Sequence, residues 1–153
     1  MPPSGLYPSG IDETAPVISR HGIRIAAPIE RVWQLHTDVG AWPRWQTDIE
    51  SARMDGPVTP GGTFHWVSAG LSIGSTIYAV EAPRRILWGG TAHGITAIHE
   101  WRFEADGDGT QVRNEESWSG SPVDADVENQ RKLLSQSLDA WLELLRRIAE
   151  DPA

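Results

Sequence analysis

The sequence predicts an α+β fold: a curved antiparallel sheet of about seven strands wraps around a long C-terminal helix, with two short helices after strand 1. Strand-like stretches follow one another through residues 63–119, separated by turn residues. An amphipathic pattern then runs over residues 124–149. The whole chain has 153 residues, which is the size of one domain, so sheet and helix are expected to share one core.

The first third of the chain predicts one strand, two short helices and a second strand. Residues 17–25 end in the apolar alternation of Ile23 and Ile25, which favours a strand. Pro28 stands where the first turn of a helix tolerates proline, and Pro43 ends or bends a second short helix. A strand near residues 48–54 leads into a loop rich in glycine and proline.

The middle of the chain predicts an antiparallel meander, because its strands are joined by very short turns. The strand-like stretches are 63–69, 71–81, 86–93, 95–104 and 110–119. Gly70, Gly94 and the segment 106–109 supply the turn residues between them.

The C-terminal pattern predicts a long amphipathic helix. Its apolar residues recur at three- and four-residue steps: Val127, Leu134, Leu138, Trp141, Leu145 and Ile148. A helix of this length needs a broad apolar surface to lie on, and a curved sheet supplies one.

Residues 17–150 are therefore interpreted as a single domain, preceded by a flexible N-terminal arm over residues 1–16. The arm holds four prolines and lacks the charged and apolar regions of a secretory signal, so we expect a cytoplasmic protein. No apolar run is long enough to cross a bilayer, so membrane insertion is not expected.

Composition excludes several classes of function. The chain has no cysteine, which rules out disulfides and thiolate metal sites. Its net charge of −8 makes nucleic acid and anionic membranes poor partners. No histidine pair has metal-ligand spacing, and no glycine motif has the context of a phosphate loop, so we expect neither metal nor cofactor.

Several short segments, in this order, resemble the SRPBCC superfamily, which includes the START domains and the relatives of the birch-pollen allergen. The segments lie at 27–33, at Asp38 with 42–45, at 56–57 and 60–61, and at 81–88, 99–103 and 109–112. They look most like the small bacterial polyketide cyclase/dehydrase family. This resemblance implies the helix-grip fold and an internal cavity for a small hydrophobic or aromatic ligand, in a monomer or homodimer.

The resemblance also implies an activity, and it leaves an alternative. The first hypothesis is a cyclase, aromatase or dehydratase that works by acid–base chemistry on a polyketide-like ligand. The alternative is a non-catalytic carrier of a lipid or polyketide. Aromatase/cyclases of this superfamily use an inward arginine on the sheet, and none can be placed on the meander of this chain.

Strand alternation selects the candidate catalytic residues. His99 shares a face with Trp101 and Phe103, and Glu116 shares a face with Asn114, so all point into an apolar interior. A buried carboxyl beside an imidazole can act as an acid–base pair. The competing interpretation is a satisfied core histidine, with Glu116 bonded to an indole N–H or to Arg131.

Two further details concern this pair. Asn114 or Tyr78 is the expected donor to a carbonyl oxygen of the ligand. Two registers of the last hairpin are possible: a turn over 106–109 pairs His99 directly with Glu116, whereas a tight Asp108-Gly109 turn makes them diagonal neighbours. Charge favours the second register, because the first places Arg102 opposite Arg113.

The tryptophans provide candidate ligand contacts. Eight are present beside only two phenylalanines and two tyrosines, which suggests either a lined cavity or large core residues. The residues expected to contact the ligand are Trp66, Trp101, Phe103, Trp118, Leu134, Leu138, Trp141 and, at the cavity mouth, His93.

Overall fold

Seven antiparallel strands form one curved sheet in the order β1-β7-β6-β5-β4-β3-β2 in this computed structural model, which describes residues 7–152. The strands are β1 Val17–Ile25, β2 Ile49–Asp55, β3 Thr63–Ser68, β4 Leu71–Glu81, β5 Arg85–Ala92, β6 Ile95–Asp106 and β7 Gly109–Ser119. All neighbours from β2 to β7 are sequential, as the short turns predict. Strand β1 completes the sheet by pairing with β7, so the predicted fold is confirmed.

Four helical segments accompany the sheet within residues 7–152. Helix α1 spans Ile29–Thr37 and a 3₁₀ helix spans Val39–Arg44, and these are the two predicted short helices. Near the C-terminus, α2 spans Ser121–Asp124 and α3 spans Val127–Glu150. The long predicted helix is thus interrupted near its start, and its 24-residue main part is about 36 Å long. None of the helices in residues 7–152 combines the length and hydropathy needed to span a bilayer.

The core lies between the concave face of the sheet and α3. The buried face of α3 carries Leu134, Leu138, Trp141, Leu142, Leu145 and Ala149, at the predicted three- and four-residue steps. Trp141 meets Trp101 of β6 with ring centroids 5.7 Å apart and meets Trp42 at 5.1 Å, both edge to face. Edge-to-face packing is a preferred geometry for aromatic pairs, and large indoles bridge the wide gap that a curved sheet leaves under a helix.

The register of the β6–β7 hairpin differs from the one that charge favoured. Asp106 pairs with Gly109 around a Gly107-Asp108 turn, and Gly107 has φ +63°, a conformation that suits glycine at this position. Arg102 therefore does stand opposite Arg113. The prediction was wrong because it considered only β6 and β7, whereas Glu100 and Glu115 also pair with arginines of β5 and β1. Glu100 accepts from Arg85 at 2.6 Å and from Arg102 at 3.1 Å.

The N-terminal segment contacts the sheet face that points away from α3. Tyr7 packs on Tyr78 of β4 with ring centroids 5.3 Å apart. The Ser9 carbonyl accepts from Arg85 at 2.7 Å, and the Asp12 amide donates to the Ser117 hydroxyl at 2.9 Å. These contacts belong to residues 7–16 of the expected arm, while residues 1–6 of it lie outside the described residues.

Candidate functional site

A cavity of about 290 Å³ lies between the concave face of the sheet and α3. It is at the lower end of the size range of small-molecule sites, roughly 300–1,000 Å³. Four indoles line it, from Trp66, Trp88, Trp118 and Trp141. Polar side chains among its lining residues include Gln46, Ser75, His99, Glu116 and Ser137.

Two consecutive glycines keep this part of the interior open. Gly89 and Gly90 follow Trp88 in β5, and both line the cavity. A Cβ atom on Gly89 would lie 2.2 Å from the Ala97 carbonyl oxygen, and one on Gly90 would lie 2.8 Å from that of Gly74. Only glycine allows the neighbouring strands to approach this closely, so the sheet bends here and no side chain enters the space.

His99 and Glu116 meet in the wall of this cavity. They are directly opposed in the β6–β7 ladder, and His99 Nδ1 lies 3.1 Å from Glu116 Oε1. The second carboxyl oxygen, Oε2, accepts a 2.7 Å hydrogen bond from the indole N–H of Trp118. The carboxyl therefore contacts the imidazole and accepts from an indole N–H at once, whereas Arg131 pairs with Glu128.

Burial shifts both groups toward their uncharged forms. It raises the pKa of Glu116 to about 7, against the lowering effect of the Trp118 hydrogen bond. It lowers the pKa of His99 well below its usual value, and the neighbouring His36 lowers it further. Near neutral pH Glu116 is therefore divided between its protonated and ionised forms, while His99 is uncharged.

The two protonation states of the pair differ in what they offer a ligand. With Glu116 protonated, the carboxyl offers an O–H donor, and with Glu116 ionised it offers only acceptors. His99 Nε2 is buried and has no hydrogen-bond partner in the described structure. A carboxyl that exchanges a proton near pH 7 in an apolar cavity can serve as base or acid.

The two expected carbonyl donors do not reach the cavity. Tyr78 stands next to the inward-facing Ile77, so strand alternation turns it to the opposite face, where it packs on Tyr7. Asn114 does face inward and is 1% exposed, but its amide donates to the Leu138 carbonyl at 3.4 Å. Neither is among the residues that line the cavity, so the expectation that they contact the ligand is corrected.

The expected ligand contacts divide into two groups. Trp66, Trp118, Trp141 and His93 do line the cavity. Trp101, Phe103, Leu134 and Leu138 do not, because each is covered by packing.

Helix α1 covers Trp101 and Phe103, so neither side chain reaches the cavity. Its Trp33 packs edge to face on Phe103 at 5.5 Å, and its His36 ring lies 4.2 Å from that of Trp101. Leu134 and Leu138 instead form a second apolar cluster with Val17 and Val123. Alternation identified the inward face but gave no information on which part of that face a helix covers.

Three residues that line the cavity were not predicted from the sequence: Trp88, Ser137 and Gln46. Trp88 stands opposite His99 in the β5–β6 ladder, and its ring lies 4.9 Å from the imidazole. Ser137 of α3 and Gln46, which follows the 3₁₀ helix, also line the space. Pairing β5 with β6 would have identified Trp88, since the short turn at Gly94 fixes that register.

Residues 17–150 match the family model described as polyketide cyclase / dehydrase and lipid transport. The chain belongs to this family. The match covers the sheet, α1 and α3, and hence the elements that carry His99 and Glu116. The sequence-level resemblance is therefore confirmed.

Solved structures share this family's fold at low sequence identity. A hypothetical protein from Helicobacter pylori superposes with TM-score 0.80 and 18% identity, over 92% of each chain. The Zhui aromatase/cyclase from Streptomyces sp. R1128 gives 0.76 and 18%, over 87% of this chain and 93% of its own. A START superfamily protein from Mycobacterium smegmatis gives 0.72 and 14%, over 87% and 97%. No curated protein matches the sequence.

Proposed function

We propose that this family member binds a small planar apolar molecule in the cavity and transfers protons to and from it through Glu116 and His99. The ligand class is a polyketide-like or other aromatic carbonyl compound, and the reaction is a cyclisation or dehydration. The observation that carries the proposal is the buried His99–Glu116 contact in the wall of a tryptophan-lined cavity. Family membership and the fold shared with an aromatase/cyclase support the reaction class.

The chemistry follows from the two states of the pair. The carboxylate form of Glu116 takes a proton from the carbon next to a ligand carbonyl, and the C–H electron pair becomes an enolate. The enolate carbon attacks a second carbonyl carbon and forms the C–C bond, and the oxygen left negative takes the proton back from the pair. Removal of a second such proton expels the hydroxyl group, which leaves with that proton as water.

The cavity contributes by confinement. Close walls hold a flexible chain with its reacting carbons near one another. Part of the entropy cost of the reaction is then met when the ligand binds. The indoles exclude water from the enolate, and the His99 imidazole, 3.1 Å from Glu116 Oε1, holds the carboxyl in position. Each role belongs to a side chain that lines the cavity.

The proposal is tested with 2-tetralone, a two-ring ketone whose α-hydrogens exchange slowly with solvent deuterium. We expect the wild-type protein to accelerate this exchange, followed by proton NMR. Glu116→Gln and His99→Gln should each lower the accelerated rate by about 10²–10⁴-fold, the usual contribution of a general acid–base group. The double variant should be little worse than the worse single one, because the two residues act as a unit.

Glu115→Gln is the matched control. It removes the same charge from the neighbouring residue, on the opposite face, where Glu115 accepts from Arg20 at 2.8 Å. It should keep the wild-type rate. Equal rates for Glu116→Gln and the wild type, with 2-tetralone bound, would contradict the proposal.

A non-catalytic carrier is the second candidate function, and one observation favours it. Neither Asn114 nor Tyr78 lines the cavity, so the expected donors to a ligand carbonyl are lacking. A carrier would bind 2-tetralone with no acceleration of exchange, and His99→Gln would leave its affinity unchanged.

A further inference from the structure

The cavity wall has a one-sided charge distribution. Within residues 7–152 its formally charged lining residues are Glu116 and Asp48, and no lysine or arginine is among them. Asp48 is exposed, whereas the Glu116 side chain is only 13% exposed. The two lining histidines are His93, exposed near the mouth, and His99, whose pKa burial lowers well below its usual value. The wall therefore offers negative but no fixed positive charge.

The indoles reinforce this preference. Trp66 stands at 89° to Trp88 with ring centroids 6.0 Å apart, and at 79° to Trp141 at 6.5 Å. These edge-to-face contacts join three of the lining indoles into one cluster. The face of an indole is electron-rich and attracts a cation, with a larger effect where water is excluded.

The hydrogen-bond donors in the wall are neutral and partly occupied. The indole N–H of Trp66 donates to the Ser75 hydroxyl at 3.1 Å, and that of Trp118 donates to Glu116. Trp88 Nε1 and His99 Nε2 are buried and have no hydrogen-bond partner among residues 7–152, and both are uncharged. An anion in a nonpolar site needs a compensating charge, which these donors do not supply.

From these observations we propose that the cavity selects its ligand by charge: it takes a planar aromatic compound that carries a basic amine, placed as an ammonium group beside Glu116, and it rejects aromatic carboxylates. The inference rests on the proposed function, since it names the substrate class of the same cavity. Glu116 Oε2 accepts from the Trp118 indole, and both carboxylate oxygens keep lone pairs for an ammonium hydrogen. A bound ammonium would also hold Glu116 in its carboxylate form, the form that acts as base.

Three probes with the same two-ring skeleton test the inference: 2-naphthylmethylamine, 2-naphthalenemethanol and 2-naphthoic acid. Their dissociation constants are measured by calorimetry at pH 8, above the Glu116 pKa of about 7. We expect the amine to bind at least about tenfold more tightly than the acid, with the alcohol between them. This comparison is made in the wild-type protein and does not depend on the folding of any variant.

Two variants then locate the source of the preference. Glu116→Gln should weaken amine binding and reduce the preference for the amine over the alcohol to the part that the indoles supply, while Glu115→Gln should preserve the wild-type order. Thermal unfolding of both variants checks that each is folded.

The possible results separate the two proposals. Equal binding of the alcohol, amine and acid would overturn the charge selection and leave the apolar binding site standing. Loss of the preference in Glu115→Gln would overturn it as well, because the effect would then come from the net charge of the chain. Failure of all three probes to bind would overturn the proposed function together with this inference.

Discussion

The two ends of the space under α3 are built from the same strands, yet one is filled and the other is open. At the filled end, Trp101 and Phe103 are fully buried beneath Trp33 and His36 of α1. At the open end, two residues earlier along β6, His99 faces the cavity with Glu116. There the wall is formed by Gly89 and Gly90, which leave space. Helix coverage and side-chain size, and not strand alternation, decide which inward residues a ligand can reach.

Each end also contains a buried histidine, and the two differ in their partners. Both ring nitrogens of His36 lack a hydrogen-bond partner in the described structure, and burial lowers its pKa to about 3. His99 is equally buried but contacts a carboxyl at 3.1 Å and lines the cavity. A buried histidine without a polar partner, such as His36, stays uncharged and contributes only packing. His99 also contacts a titrating carboxyl and lines the cavity, which is what a role in proton transfer requires.

The largest difference is expected from truncating a tryptophan at each end. Trp101→Ala should lower the free energy of unfolding by about 3–5 kcal/mol, as for other fully buried tryptophans, because the filled end would be left with a void. Trp66→Ala should cost clearly less stability, since Trp66 borders existing space, but should weaken 2-tetralone binding. Urea unfolding and calorimetry measure the two effects. Equal stability losses would contradict the division into a filled and an open end.

The next largest effect is the pH dependence that Glu116 gives to stability. Its pKa is raised from an ordinary 4.5 to about 7, so between these values the folded protein keeps a proton that the unfolded chain releases. Its contribution to the free energy of unfolding therefore falls as the pH rises through this window. The change is on the order of 3 kcal/mol, at about 1.36 kcal/mol per pKa unit.

Glu116→Gln lacks this titration. The free energy of unfolding of this variant, minus that of the wild type, should therefore rise by about 3 kcal/mol between pH 4 and pH 8, as measured by urea unfolding. His36 titrates in both proteins and does not enter the comparison. A constant difference across this range would mean that Glu116 is not held in its protonated form by burial.

The smallest effect is expected at the histidine of the filled end. His36→Leu replaces a side chain with two unsatisfied buried nitrogens by an apolar one of similar size, so stability should rise by about 1 kcal/mol. Exchange of 2-tetralone should stay at the wild-type rate. A loss of exchange comparable with that of His99→Gln, in a folded variant, would show that the two histidines act together.

Much of the fold could be predicted from local patterns. The steps from Leu134 to Leu145 predict α3 and its buried face, and the turn residues at Gly70 and Gly94 predict the meander. The hairpin register could not be predicted from β6 and β7 alone, because Arg85 and Arg20 on neighbouring strands neutralise Glu100 and Glu115.

The candidate site was predictable only in part. Alternation places His99 and Glu116 on one face in either register, and the structure adds their 3.1 Å contact. Alternation also turns Tyr78 to the opposite face from Ile77, so that residue could have been excluded. The extent of the cavity depends on how α1 covers Trp101, which is a long-range contact that no local pattern contains.

The most direct test of the proton-transfer pair is the rate of 2-tetralone α-hydrogen exchange as a function of pH. The carboxylate is the base, so the wild-type rate should rise with pH through a midpoint near 7, the pKa that burial gives Glu116. Glu115→Gln should reproduce this profile, and Glu116→Gln should lack the rise. An identical profile in Glu116→Gln and the wild type would contradict the assignment of Glu116 as the base.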